Sequence, residues 1–272
     1  MEWFLIALTS LLMVISPVGL VVDQVIDHNI RDRVKSVEEL SVRVDNAPSF
    51  QIIKGKVNRV RIASRGLEPL DHVRIQALEL ETDPIDISLD NLKINNLQEL
   101  RASLHKPLQG AIHVVMTPED INNALADEAI KAKLQDLLNK VLPEEAPKLE
   151  LVNIKVSFLE NNRLQTQVQL QQKSEDSELP DQLKIVVETG IKVNQGKSLE
   201  LIDPTASLND RKISSRILKS VIGSVSDRLD LSRFENQGII ARLLKLEINP
   251  QEINIAAFIR LNPVNPLSGD TN

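Results

Sequence analysis

Cysteine and tyrosine are absent from this chain of 272 residues, which has only one tryptophan and five phenylalanines. Without cysteine, the protein forms neither disulfide bonds nor thiolate metal sites. Single-stranded nucleic acids bind against exposed aromatic rings, and sugars usually do the same. The scarcity of aromatic residues therefore disfavours both ligand classes. The formal net charge of -6 also disfavours nucleic acid, whose phosphates require a basic surface. We therefore expect no nucleic-acid partner and a fold stabilised by packing.

Motifs of catalytic and cofactor sites are also missing from the sequence. The four histidines show no HExxH or HxH spacing, and no GxSxG nucleophile elbow, P-loop or GxGxxG motif is present. Asp83, Asp86 and Asp90 lack the alternate acidic positions, central glycine and distal glutamate of a calcium-binding loop. The sequence therefore predicts no catalytic residue, no metal site and no cofactor, and the protein is not expected to be an enzyme.

A run of 20 residues without charge, over residues 3–22, follows Met1 and Glu2. A run of this length can cross a bilayer as one helix, with Trp3 at the level of the headgroups. It predicts a transmembrane anchor or uncleaved signal over residues 1–22. Two alternatives remain open: a cleaved secretory signal, although such a signal should begin with a basic region, and a helix buried in protein.

Basic residues flank the apolar run only on its C-terminal side, at Arg31, Arg33 and Lys35. By the positive-inside rule they would place the body of the protein in the cytoplasm. The first of them lies nine residues beyond Val22, and aspartates are mixed with them, so the rule has little weight here. We expect membrane association through the N-terminal helix, with the periplasmic or lumenal side favoured.

The spacing of apolar residues predicts how helices and strands alternate. Helical spacing over residues 18–37 predicts an amphipathic helix joined to the apolar run, and after Leu40 the spacing changes to that of strands. Strands are predicted at 42–45, 50–53, 57–62, 73–80, 85–94, 111–116, 149–158, 164–170, 183–193, 199–202, 243–248 and 253–261. Further helices are predicted from Thr117, as the N-cap, to a stop at Pro143, and over residues 209–231. These elements indicate an α+β fold in which curved antiparallel sheet wraps long amphipathic helices.

Positive charge is concentrated between residues 31 and 65, where nine basic and four acidic residues give +5, leaving -11 for the rest. Next to a membrane anchor, each Lys or Arg near the surface contributes about 1 kcal/mol to binding anionic lipid. The alternative is a solvated face whose cations pair with the acidic run 68–90. The residues predicted at lipid headgroups or the membrane surface are Arg31, Arg33, Lys54, Lys56, Arg59 and Arg61.

The inward faces of the predicted strands consist almost entirely of Val, Ile and Leu. Such faces either fill a solid core, which periodicity alone favours, or leave an apolar groove. In a groove, an acyl chain gains about 0.8 kcal/mol for each buried methylene. The residues predicted to line it are Ile26, Ile30, Val34, Ile52, Val60, Ile62, Val73, Ile75, Leu80, Ile87, Val168 and Leu170.

Several turns and strands of the chain resemble the LmeA-like phospholipid-binding family, especially its cyanobacterial members. The similar segments are DNAPS at 45–49 with Gly55, VRIASRGL at 60–67, LELETDPID at 78–86, PLQ at 107–109 and VVMTPEDIN at 114–122. The resemblance covers most of residues 20–262 and carries over no catalytic residue. It implies a tubular lipid-binding (TULIP-like) domain over residues 23–262, in which sheet wraps a long helix around an apolar tunnel, with a role in handling envelope lipids. A flexible tail is expected over residues 263–272.

Two functions of different classes are consistent with these features. The first is non-enzymatic, membrane-anchored binding or carrying of a phospholipid or another long-chain amphiphile in the apolar tunnel. The second is a structural or assembly factor for a membrane complex, with a membrane-protein partner and no lipid cargo. A lipid hydrolase would need a nucleophile and a base that the sequence does not show.

Overall fold

The computed structural model describes residues 27, 30–32, 34–46, 49–88, 96–141, 149–172, 181–214, 218 and 229–264. The apolar run at 3–22 and residues 265–272 of the predicted tail lie outside this part of the chain. Within it, no helix combines the length and the apolar character that crossing a bilayer would require.

Strands make up most of the described chain. They are β1 (Ser36–Asp45), β2 (Lys56–Val57), β3 (Arg59–Leu70), β4 (Val73–Thr82), β5 (Ile85–Asp86), β6 (Leu108–Met116), β7 (Leu149–Leu159), β8 (Arg163–Gln172), β9 (Asp181–Asn194), β10 (Ser198–Leu208), β11 (Arg211–Lys212), β12 (Ile239–Ile248) and β13 (Ile253–Leu261). The α-helices are α1 (Leu97–Ser103), α2 (Pro118–Ala126) and α3 (Glu128–Val141). Two 3-10 helices cover Ser49–Lys54 and Leu231–Gln237.

The strands form open, curved antiparallel sheets. A six-stranded sheet has the order β1-β3-β4-β6-β13-β12, a five-stranded sheet has the order β11-β10-β9-β8-β7, and β2 pairs with β5. Register shifts occur in the β3–β4, β7–β8, β9–β10 and β12–β13 pairs, and such irregularities bend and twist strands. The prediction of curved antiparallel sheet is confirmed. Its wrapping around long helices stays a prediction.

The helix predicted to run to Val37 ends earlier. Val34 still donates its N–H to the Ile30 carbonyl at 3.1 Å, but the Lys35 N–H donates to the Glu68 carbonyl at 2.8 Å. Val37 lies in β1, opposite Leu67 of β3. The prediction is wrong for the last residues because pairing with β3 captures a segment whose β-branched valines favour a strand.

The strand predicted at 50–53 is wrong, since this segment is the first 3-10 helix. Gly55, at a φ of +72°, donates its N–H to the Ile52 carbonyl at 2.9 Å and closes the turn. Ile52 packs against the hydrophobic core, whereas the adjacent Ile53 is 74% exposed. Two consecutive isoleucines do not make the alternating pattern of a strand, and the glycine at the end allows the left-handed conformation.

The helix predicted from Thr117 to Pro143 begins as expected but is two helices. The Thr117 hydroxyl accepts the Asp120 N–H at 3.1 Å, and the Asp120 carboxylate accepts the Thr117 N–H at 2.9 Å, forming a capping box. Asp127 interrupts the helix with an extended backbone. Its carboxylate accepts the N–H groups of Ala129 and Ile130, so it caps α3. The local side-chain bonds of aspartate thus compete with a continuous helix.

The start of the helix predicted at 209–231 is also wrong. Asn209 and Asp210 adopt positive φ angles of 46° and 64° in a turn, and β11 follows. Leu231 begins a 3-10 helix, with Asp230 as its N-cap. Leu218 is helical and buried, but most of the predicted apolar stripe lies outside the described residues. Asn and Asp tolerate the left-handed region, which explains why a turn replaces the first turn of the helix.

Two further differences concern the segment between β4 and β6. Of the strand predicted at 85–94, only β5 is a strand, and residues 89–95 lie outside the described part of the chain. Helix α1 was not predicted from the sequence. It begins at Leu97, and its N-cap is Asn96, whose side chain accepts the Glu99 N–H at 2.9 Å. A helix of seven residues is too short to show a helical period.

Candidate functional site

One face of the six-stranded sheet is aliphatic in every strand. Because side chains alternate between the two faces of a strand, the pairing register defines rows of side chains across the sheet. We call one of them the Ser64 row, and it consists of Leu40, Ser64, Leu78, Val114, Ile255 and Leu246. The next row consists of Val42, Ile62, Leu80, Ile112, Ala257 and Leu243. These rows place an apolar surface across all six strands.

Part of this surface is filled by packing. Leu100 and Leu104, at and just after α1, are 1% and 5% exposed and belong to the core that we call the packed cluster. Its members are Val57, Val60, Ile62, Leu80, Ile85, Ile87, Leu100, Leu104, Leu108, Ile239, Ile259 and Leu261. Phe234 of the second 3-10 helix packs against the cluster. Side chains that are already buried here gain nothing further from a ligand.

Beyond the packed cluster, the aliphatic face is only half-buried. Leu40, Leu78, Val114, Ile255 and Leu246, which make up the Ser64 row with Ser64 itself, all keep partial exposure. Apolar side chains in this state still contact water, so covering them releases free energy in proportion to the area covered. This half of the face can therefore bind an apolar partner.

The five-stranded sheet also has one aliphatic and one polar face. In β8, four glutamines at 165, 167, 169 and 171 alternate with Leu164, Thr166, Val168 and Leu170. The register extends the aliphatic face to the neighbouring strands, where Ile154, Val156, Leu183, Ile185 and Val187 are half-buried. On the same face, Leu170 is 2% and Phe158 is 5% exposed. Most of this face is therefore half-buried, like the Ser64 row of the six-stranded sheet.

The two sheets meet along β12. The Ile248 N–H donates to the Asn162 side-chain oxygen at 2.7 Å, and the Asn162 N–H donates to the Ile248 carbonyl at 3.3 Å. Further along β12, the Leu243 N–H donates to the Gly196 carbonyl at 2.7 Å. These bonds link the turns of the five-stranded sheet to the edge strand β12 of the six-stranded sheet.

Helices α2 and α3 cover the outer edge of β7. The Asn122 amide donates to the Val156 carbonyl at 2.8 Å and accepts the Val156 N–H at 2.7 Å. The Gln135 amide donates to the Leu149 carbonyl and accepts the Leu151 N–H at 2.6 Å. Two side-chain amides thus satisfy backbone groups that a neighbouring strand would otherwise bind, which protects the edge.

An ion cluster ties α2 to the six-stranded sheet. Arg74 of β4 donates to the Asp120 carboxylate at 3.0 Å and to the Glu38 carboxylate at 2.9 Å. The Asp120 side chain is only 4% exposed. Bonds to Glu38 first, and then to Asp120, raise the pKa of Arg74 against the opposing effect of burial. The guanidinium of Arg74 therefore stays protonated, and its two bonds join α2 and β1 to β4.

The predicted basic segment is paired with acidic side chains. Arg59 and Arg61 both bind Glu81, at 3.1 and 3.2 Å, and Arg61 also binds Asp45 at 3.0 Å. Lys56 lies 3.4 Å from Asp86. By alternation, Arg59 and Arg61 project from the face of β3 opposite Val60 and Ile62. Exposed ion pairs of this kind add little stability because water screens them.

Two carboxylates of this surface have lowered pKa values. A hydrogen bond from Arg43 is the main cause for Asp45, reinforced by the charges of Arg43, Arg61 and Arg59 against the effect of burial. For Asp86, burial is the largest influence and raises the pKa, but hydrogen bonds from His105 and Lys56 together with their charges lower it overall. Both carboxylates are therefore ionised at neutral pH and hold their cationic neighbours.

The remaining predicted headgroup residues are found in varied settings. Arg31 donates to the Asp27 carboxylate at 2.7 Å, in an exposed pair four residues apart. Lys54 is exposed at the end of the first 3-10 helix, and Arg33 lies outside the described residues. The headgroup role of the whole set stays a prediction.

A pocket of about 310 Å³ lies on the polar face of β1, β3 and β4. Its lining includes the small side chains of Ser41, Ala63 and Ala77 and the charged residues Glu39, Arg65 and Glu79. Leu40 and Ser64, which lie between these residues in the strands, complete the lining. Its charged lining residues distinguish this pocket from the apolar groove expected for an acyl chain.

Histidine and acidic side chains form only pairwise contacts in the described chain. His113 lies 3.3 Å from Glu79 and 2.9 Å from Asn254, and His105 lies 2.9 Å from Asp86. No group of three or more such residues among those described could hold a metal ion.

The predicted lining residues fall into separate environments. Val60, Ile62, Leu80 and Ile87 belong to the packed cluster, and Ile30 and Ile52 pack against it. Val34, Val73, Ile75 and Val168 are half-buried, Leu170 is buried in the five-stranded sheet, and Ile26 lies outside the described residues. Their role as a lining stays a prediction. In β4, Val73 and Ile75 alternate with Arg74 and Leu78, so they lie with Ala77 on the face opposite the aliphatic rows.

Sequence reasoning missed three residues of this region: Ser64, Asn122 and Gln135. Ser64 carries a visible signal, since it is a hydroxyl at an inward position of an alternating strand. Asn122 and Gln135 carry no such signal, because amides on helices usually face water, and their partners in β7 lie 14 to 34 residues along the chain.

Comparison with known proteins agrees with this architecture. The family model described as LmeA-like phospholipid-binding matches residues 14–258, which is most of the chain. Comparison with curated proteins finds no match. The match spans both sheets, the helix pair and the aliphatic faces, and on that extent the chain belongs to the LmeA-like phospholipid-binding family.

Proposed function

We propose that the protein binds a phospholipid, or another long-chain amphiphile, without changing it chemically. Its acyl chains lie against the half-buried aliphatic faces of the two sheets. The observation that carries this proposal is the partial exposure of aliphatic rows, such as Leu78, Val114 and Ile255, in a chain of a phospholipid-binding family. The family is a lipid-binding one rather than an enzyme family, which supports a binding role.

The energetics favour the half-buried rows over the packed cluster. Each methylene that moves from water to an apolar surface contributes about 0.8 kcal/mol. Around Leu100 the protein has already gained this free energy by covering its own side chains. Around Val168 and Val187 part of it is still available, because these side chains keep contact with water. A ligand therefore binds where the protein has not covered its own aliphatic surface.

The finer parts of the proposal come from the sequence. What remains of the two predicted amphipathic helices, up to Val34 before β1 and between β11 and the second 3-10 helix, would pack against the aliphatic faces and enclose the acyl chains in a tunnel. The anchor predicted at 3–22 would hold this domain at a membrane. Because Arg59 and Arg61 already bind acidic side chains on the opposite face, they would act at the membrane surface rather than on the enclosed lipid.

Lipid analysis of the full chain tests the proposal. Protein purified in mild detergent and then extracted with organic solvent should yield phospholipid in near-stoichiometric amount by mass spectrometry. Val168→Glu places a charge on the aliphatic face of β8 and should lower the bound lipid at least tenfold. Gln167→Glu places the same charge on the polar face of the same strand, and should retain the lipid. Circular dichroism checks that both variants are folded.

Two results would overturn this function. One is lipid-free protein that also takes up no fluorescent phospholipid. The other is a single stoichiometric membrane-protein partner in crosslinked complexes that contain no lipid, which would establish the structural or assembly role instead. Equal lipid content in Val168→Glu and Gln167→Glu would place the ligand away from the five-stranded sheet.

A further inference from the structure

Ser64 has a buried hydroxyl group that is unpaired within the described part of the chain. The residue is 4% exposed, and its Oγ has no hydrogen-bond partner among the residues that the structure describes. The other buried hydroxyl on this face of the sheet, that of Thr82, accepts the Val60 N–H at 3.0 Å. Buried polar groups are nearly always paired, so an unpaired one indicates either strain or a missing partner.

The surroundings of Ser64 are aliphatic. Register places it between Leu40 of β1 and Leu78 of β4, with Val114 next in the same row. Alternation in β3 directs its side chain to the same face as Ile62 and away from Arg65. The hydroxyl is therefore a single polar group in a row of half-buried aliphatic side chains.

The Ser64 row separates an apolar region from an ionic one. On one side, Ile62 and Leu80 of the next row belong to the packed cluster. On the other side, the Glu38 side chain lies over Gly66 and binds Arg74, which also binds the buried Asp120. A lipid has the same order of groups, since an apolar chain is joined through an ester to a polar headgroup.

We infer that the Ser64 hydroxyl donates a hydrogen bond to an ester carbonyl of the bound lipid. An ester carbonyl accepts hydrogen bonds and donates none, so it matches a hydroxyl that can rotate its hydrogen toward a partner. The inference rests on the proposed function and narrows its ligand to ester-linked amphiphiles. Ser64 thereby sets the depth at which the lipid enters the protein.

The same row provides the surface for the chain that follows the ester. From β3 to β12 the row crosses four strand spacings, a distance of roughly 19 Å at the usual separation of neighbouring strands. Leu78, Val114, Ile255 and Leu246 supply aliphatic contacts over this distance. An extended acyl chain can thus lie across the sheet with its carbonyl at Ser64.

The test compares ester-linked and ether-linked lipids. A diacyl phosphatidylethanolamine and its dialkyl ether analogue, with the same headgroup and chain length, compete with a fluorescent phospholipid for the full-length protein. The wild type should bind the diester about tenfold more tightly than the diether. Ser64→Ala should bind both lipids equally, at the affinity of the wild type for the diether. Ser41→Ala removes an exposed hydroxyl from β1 and should keep the preference.

The possible outcomes separate this inference from the proposed function. Equal binding of both lipids by the wild type refutes the role of Ser64 but leaves phospholipid binding intact. A preference for the diester that survives in Ser64→Ala assigns the donor to another residue and also refutes it. Failure to bind either lipid removes the proposed function itself. Ser64→Thr keeps a hydroxyl, so tighter binding of the diester than of the diether by this variant, in contrast to Ser64→Ala, would support the inference independently.

Discussion

At the residue scale, the carboxylate of Asp86 joins segments that are distant in the chain. It accepts a hydrogen bond from His105 Nδ1 at 2.9 Å and lies 3.4 Å from Lys56 Nζ. Its backbone carbonyl accepts the His105 N–H at 2.9 Å. The Asp86 side chain is only 12% exposed, whereas those of His105 and Lys56 are 58% and 51% exposed, so these contacts lie at the protein surface.

The stability that Asp86 contributes should depend on pH. Its pKa is lowered from 3.8 in the folded protein, because the bonds and charges of His105 and Lys56 outweigh the effect of burial. A lowered pKa means that the contribution is complete above pH 3.8 and is lost as the pH falls through the folded-state value. The difference in unfolding free energy between wild type and Asp86→Asn should therefore shrink below about pH 4. Urea unfolding at a series of pH values measures it, and a constant difference would contradict this assignment.

The capping box at the start of α2 gives a second prediction at this scale. Asp120 caps the helix and also binds Arg74, whereas Thr117 only caps it. Thr117→Ala should lower the free energy of unfolding by about 1 kcal/mol. Asp120→Ala should lower it by about 2–3 kcal/mol, because it also removes the largely buried bond to Arg74. Glu119→Ala, in the same turn but exposed, is the control for both. Equal losses for Thr117→Ala and Asp120→Ala would show that the bond to Arg74 adds nothing.

At the scale of elements, helices α2 and α3 cover the edge of β7 through side-chain amides, and no sequence pattern predicts this contact. Asn122→Ala removes the amide that binds both backbone groups of Val156 and should lower the free energy of unfolding by about 1–3 kcal/mol. Asn123→Ala, on the exposed side of the same helix, should change it little. Urea unfolding measures the loss, and amide exchange at Val156 should accelerate only in the first variant. Unchanged exchange there would mean that α2 does not protect this edge.

Element boundaries show where sequence patterns succeed and fail. The strands around Gln167 and Val168 were predicted because local alternation and local structure coincide there. The break at Asp127 was missed because one side chain, by capping α3, outweighs an apolar period that continues through the break. Val37 was misassigned because its strand forms only through pairing with β3, 30 residues further along the chain.

At the scale of the whole molecule, Asn162 connects the two sheets. Its side chain accepts the Ile248 N–H, and its φ of 58° lies in the left-handed region. Asn162→Gly keeps this conformation but leaves the buried Ile248 N–H unpaired, and should lower the free energy of unfolding by about 1–2 kcal/mol relative to Asn161→Gly. Asn161 has a similar φ of 59° in the same turn, so Asn161→Gly changes the backbone entropy of the unfolded chain by the same amount without removing the bond to Ile248. Urea unfolding compares them, and equal stability would show that this bond does not couple the sheets.

The sequence by itself determined which face of each strand is apolar. In β8, leucine and valine alternate with glutamine, and a one-residue shift would expose the whole apolar set, so local chemistry is sufficient to orient the strand. The same alternation also predicted an aliphatic surface in β3, β4 and β6, and the scarcity of aromatic residues and the lack of catalytic motifs in the sequence favoured that surface as the binding site.

Only the tertiary structure decided which part of that surface is filled. Val60 and Val114 follow the same alternating pattern, yet Val60 is buried in the packed cluster and Val114 is half-buried. The difference arises because α1 and the second 3-10 helix, which come from other parts of the chain, supply side chains to one half of the sheet. Alternation fixes the direction of a side chain, but its burial depends on what packs against it from a distance. For the same reason, the unpaired hydroxyl of Ser64 becomes significant only in the folded protein.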